Sequence, residues 1–93
     1  MTMCMIRVEL HGASWADYTN LAAYLKNYGI VDVIEGSDRQ RYKLPPAEYH
    51  YDGPKTLEQV YADTVTCTTM VGRTHAIVAS EITRCKWVGL QYA

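Results

Sequence analysis

Phenylalanine is absent from the 93 residues, and proline occurs three times. Three cysteines, Cys4, Cys67 and Cys85, are odd in number and lie far apart. They lack the paired spacing of a disulfide framework or a zinc site, so they read as small, partly buried hydrophobes in a reducing compartment. No apolar run approaches the length of a membrane span, and the N-terminus has no long apolar segment ending in a small-residue cleavage site. The expected location is therefore cytoplasmic, with no membrane partner. The formal net charge of −1 excludes a basic nucleic-acid tail and an acidic disordered tail. There is no H-x-x-x-H, C-x-x-C or paired D-x-D, so neither a metal nor another cofactor is expected. A glycine-rich phosphate loop and a G-x-S-x-G elbow are likewise missing.

What is present suits one small domain. The length supports a single core over residues 1–93, burying roughly 60–65% of the unfolded surface. Eight tyrosines and two tryptophans supply rings with polar tips, which suit rims and interfaces better than a dry core.

Periodicity divides the chain. Cys4, Ile6, Val8 and Leu10 alternate with Met5, Arg7, Glu9 and His11, which predicts a half-buried strand. Ser14 is placed to cap a helix over about residues 15–28, whose apolar face carries Trp15, Tyr18, Leu21, Ala22, Leu25 and Tyr28. Residues 30–35 are β-branched and predict a second strand. A third extended run covers 39–51, but Pro45-Pro46 removes two ladder donors and argues for a bulge or a break there. Thr56 and Gln59 match a capping box opening a second helix that Gly72 ends. His75 to Ile82 reads as a fourth strand, and Lys86 to Leu90 as a short fifth strand turning back through Thr83-Arg84. The expected class is α+β, a ferredoxin-like β-α-β-β-α-β domain with one antiparallel sheet and both helices on one face. Its expected core is Ile6, Val8, Leu10, Leu21, Leu25, Leu57, Val60 and Val78.

Chemistry concentrates in two places. Arg39, Arg41 and Lys43 alternate with Gln40 and Tyr42, so an extended segment would project three cations from one side, at a spacing suited to phosphates. Arg7 joins them as a candidate contact. Tyr42, Tyr49 and Tyr51 place rings beside this stretch, where an exposed sheet face would stack unpaired bases. The alternative is a solvated hairpin whose cations discourage edge pairing, with tyrosines on a core rim or a dimer interface. His11 and His50 are the candidate acid–base pair for metal-free RNA cleavage, since imidazole titrates near neutrality.

Three segments carry a family likeness: Arg7-Val8-Glu9-Leu10-His11, Leu44-Pro45-Pro46-Ala47-Glu48-Tyr49 and Trp87-Val88-Gly89-Leu90. In order and spacing they resemble the small bacterial and phage proteins grouped with the GhoS-type endoribonuclease antitoxins of type V toxin–antitoxin systems. The resemblance implies a ferredoxin-like fold akin to the small CRISPR-adaptation nucleases, and metal-independent cleavage of a toxin messenger RNA. It assigns no catalytic residue to a position here. The CRISPR nucleases use an acidic residue at the end of the first strand, where this chain has Glu9-Leu10-His11-Gly12. Three readings stay open: an antitoxin-like protein that binds single-stranded RNA, a non-enzymatic module docking on a host protein or nucleoprotein complex, and a small structural homodimer.

Overall fold

A computed structural model describes all of residues 1–93. Strand β1 spans Thr2–Leu10, helix α1 Trp15–Lys26, β2 Val33–Glu35, β3 Arg41–Lys43, β4 Glu48–Gly53, helix α2 Leu57–Val71 and β5 His75–Ile82. The class is α+β, with β4-β1-β5 forming an antiparallel three-stranded sheet and β2-β3 a separate hairpin.

Alternation in β1 works as the sequence implies. Cys4, Ile6, Val8 and Leu10 are buried under the helices, while Arg7 and Glu9 are exposed on the other face. Leu21 and Leu25 of α1 and Val60, Thr64, Cys67 and Thr68 of α2 close that core. Capping boxes at Ser14/Asp17 and Thr56/Gln59 satisfy the first amides of both helices. Helix α1 ends two residues before the expected position. Asn27 and Tyr28 bond back three residues, to Tyr24 and Leu25, so the last turn tightens before Gly29 at φ 79°. Lys55 ties the helices together through Asp63 at 2.8 Å and the Tyr28 ring at 5.3 Å.

Three expectations need correction. The single sheet is two sheets, because the expected second strand touches β4 only through a bridge between Val31 and His50. Of the two outcomes expected at Pro45-Pro46, a bulge or a break, the chain takes the break, leaving β3 and β4 as separate strands. Residues 86–90 form no strand. Instead the last residues run along β3, where Tyr92 bridges Tyr42, and Lys43 and Ala93 donate to Gln91 and Arg41, each at 2.9 Å. Val78 is 64% exposed, because β5 points Ile77 and Ala79 inward. Leu57 is half-buried against the core, and the other six expected residues are fully buried.

Candidate functional site

The hairpin and the C-terminal tail form one lobe. Tyr42 holds them together: its ring lies 5.6 Å from Trp87 and stacks on Tyr92 at 5.2 Å. Its hydroxyl donates to Asp38 at 2.6 Å, a bond that pushes the phenol up to about 12 and the Asp38 carboxyl below its usual range. Gly36 permits this packing, since a Cβ there would sit 2.7 Å from Asp38 and 3.3 Å from Trp87. Tyr42 is therefore the keystone of the lobe and half-buried, and its ring is already stacked.

Arg41 and Lys43 lie exposed on one side of β3, opposite the Tyr42 side. Arg39 sits in the preceding turn at φ 63°, off the strand line. The tail adds Arg84 and Lys86, both exposed, and Lys86 shares a groove with Asp38, Tyr42 and Trp87. Arg7, Lys55 and Arg73 are held in ion pairs with Glu48, Asp63 and Asp17. Five of the six remaining cations thus gather on this lobe. Residues 31–43 and 83–93 carry five cations against three carboxylates, while the rest carries four against seven. A chain of net charge −1 is therefore split into a lobe of +2 and a body of −3. Sequence reading missed Arg84, Lys86 and Trp87. The only signal for them was an aromatic flanked by cations in a segment without strong periodicity.

A groove of about 500 Å³ runs from Lys43 along one flank of α1. Trp15, Tyr18 and Ala22 form one wall, and Leu44-Pro45-Pro46-Ala47 the other. Its size suits a drug-sized or nucleoside-sized ligand. The Trp15 ring is 77% exposed at the rim. Tyr18 carries the groove to the end of β1, where its hydroxyl accepts from the Leu10 amide at 3.0 Å. Tyr49 lies in the floor, and burial pushes its phenol up to about 12.

His11 follows Leu10 directly. Its Nε2 donates to Glu9 at 2.9 Å, which in the neutral ring leaves Nδ1 to accept from the Thr74 hydroxyl at 3.3 Å. The carboxylate thus orients an imidazole whose other nitrogen faces a hydroxyl. His50 is elsewhere. It faces Met5 across β1–β4, six residues up β1 from His11, or about 20 Å at ~3.3 Å per residue. Its Nε2 is sealed from solvent and has no partner. The structure does not bring the two histidines together. Nor does it place Tyr49 and Tyr51 on a free face, since both are buried beneath the helices. Arg7 projects from the opposite face of the sheet, paired to Glu48 at 2.9 Å.

No three His, Cys, Asp or Glu side chains converge into a metal-binding group. The three cysteines are free thiols. No helix is long and apolar enough to cross a membrane. No family model matches the chain, and comparison with curated proteins and with solved structures finds no match either.

Proposed function

We propose that this protein binds single-stranded RNA along a path from the hairpin–tail lobe through the Trp15 groove toward His11. The observation that carries the reading is the gathering of five unpaired cations on the hairpin–tail lobe, one of which, Lys43, also lines a groove with an exposed tryptophan at its rim. Single-strand binding needs these two parts: cations that track phosphates and aromatic faces on which unpaired bases stack. Trp15 takes the stacking role that the sequence assigned to the tyrosines. The strand order β5-β1-β4, with Val31 bridged to the outer side of β4, supports a ferredoxin-like ancestry whose second strand is reduced to one bridge. Together with the resemblance to GhoS-type antitoxins, it favours a toxin messenger RNA as the target.

The His11 arrangement favours cleavage as a second step. His11 Nδ1 would accept the proton of a ribose 2′-hydroxyl in place of that of Thr74, with Glu9 orienting the ring. The 2′-oxygen then attacks the adjacent phosphorus and the 5′-oxygen leaves, taking its proton from water, because the second imidazole is too distant.

The test is fluorescence anisotropy with labelled single-stranded RNAs over a range of salt concentrations, beside a cleavage assay in EDTA. Replacing Arg39, Arg41 and Lys43 by Ala should weaken binding for all sequences alike. It should also lower the salt slope by about 2, at ~0.7 per phosphate contact. His11→Ala should spare binding and abolish cleavage. Wild-type protein that binds no RNA would overturn the proposal in favour of protein docking. Cleavage that EDTA stops would replace the His11 step with a metal site, Glu9 being the first ligand to test.

A further inference from the structure

Strand β5 is the uncapped edge of the sheet. It pairs only with β1, whereas the outer side of β4 is bridged by Val31. The His11 amide donates to the Thr74 carbonyl at 2.8 Å, which sets the alternation along β5. Even-numbered residues bond to β1, so Ile77 and Ala79, with His75 and Glu81, turn their amides and carbonyls outward. The strand is eight residues long and contains no proline, lysine or arginine, the usual devices that blunt an edge. Above it lies one flank of α2. Tyr61, Val65 and Thr68 share that flank at steps of four and three, and Thr68 Oγ1 reaches His75 Nε2 at 3.5 Å. Tyr61 on this flank is 49% exposed.

We infer that a second copy of this chain pairs with this edge, β5 to β5 and antiparallel, about a two-fold axis at Val78. In that register Ile77 exchanges both backbone hydrogen bonds with Ala79 of the partner subunit, and each edge donor meets an acceptor. His75 opposes Glu81 of the partner subunit at both ends, and no neighbouring register brings these two groups together. The two Val78 side chains, each 64% exposed in the single chain, meet on the axis. Tyr61 on each α2 closes over the junction from the helix side. The result is one six-stranded sheet with the basic lobes at its two far ends. The interface does not depend on RNA binding.

Sedimentation equilibrium decides the mass, with twice the 10.6 kDa chain expected. Val78→Lys places two ammonium groups on the axis and should give a monomer with unchanged circular dichroism, because the position is exposed, and with a thermal midpoint that no longer rises with protein concentration as that of the wild-type dimer should. The register is tested by mild oxidation in a Cys85→Ser background. Val78→Cys should form covalent dimers, since facing Cα atoms at a non-hydrogen-bonded pair lie about 4.5 Å apart, within disulfide reach. Ala76→Cys, which would face Ser80, should not. Wild-type protein that stays monomeric at every concentration overturns the inference. So does a Val78→Lys dimer, or equal cross-linking at both positions.

Discussion

Tyr42 and Trp87 sit with ring centroids 5.6 Å apart at an interplanar angle of 58°, and this contact joins the tail to the hairpin. Through it the segment bearing Arg84 and Lys86 is held to the hairpin that carries the β3 cations, although more than forty positions separate them in sequence. Trp87→Ala should free the tail. Hydrogen exchange at the Lys43 and Ala93 amides, which bond to Gln91 and Arg41, should then accelerate while the β1 amides stay protected. RNA affinity should fall by the share that Arg84 and Lys86 contribute, with a smaller salt slope. Unchanged exchange at both amides would show that backbone pairing alone holds the tail.

Stacking and charge should separate experimentally. The Trp15 ring is 77% exposed and has no ion-pair role. Trp15→Ala should cost about 1–3 kcal/mol of RNA binding if one base stacks on it, and should leave the salt slope unaltered. The triple cation variant should do the reverse, changing the slope most. Measuring both slopes over the same salt range checks the division of labour. A Trp15→Ala variant with wild-type affinity would remove the groove from the RNA path.

Much of the fold was legible because period and burial agreed. The β1 alternation has one apolar phase, and both helices carry a single apolar stripe opened by a capping box. Strand β5 misled because both phases of His75–Ile82 are apolar: Ala76 and Val78 on one, Ile77 and Ala79 on the other. Nothing local then chooses which phase faces the core, and the register with β1 decides it. Tyr49 and Tyr51 misled through their polar tips. In the fold Tyr51 accepts from the Lys55 amide at 3.0 Å, which lets its ring be buried. The tail's place was illegible because its pairing with β3 is non-local and spans only one bridge.

The corrected burial pattern makes a paired stability test. Leu25 is fully buried in the core, and Leu25→Ala should cost about 2–5 kcal/mol in chemical denaturation. Val78→Ala, at an exposed position, should shift stability by no more than about 0.5 kcal/mol under dilute, monomeric conditions. Similar costs at both positions would contradict the phase of β5.

His50 supplies the pH dependence. It is buried on β4 facing Met5, its Nε2 is sealed and unpartnered, and burial pushes its pKa below the ordinary 6.5. Asp52, on the same strand, opposes that shift without reversing it. The sign follows from proton counting. Below about pH 6.5 the unfolded chain takes up a proton at this position that the folded chain refuses, so the unfolded state binds more protons and stability falls as pH falls. The loss begins at the ordinary value and stops once pH drops below the folded one. Asp17 and Asp38, whose carboxyls are held below their ordinary 3.8 by hydrogen bonds from Ser14 and Tyr42 respectively, lose their contribution only at lower pH. They leave this window clear. Denaturation midpoints measured from about pH 7.5 down to about pH 5 should therefore decline in the wild-type protein. The His50→Asn variant should decline less, because the two chains differ only at this position and every other group is common to both. Equal declines would mean that His50 is protonated in the folded state, with its ring open to water rather than sealed against Met5.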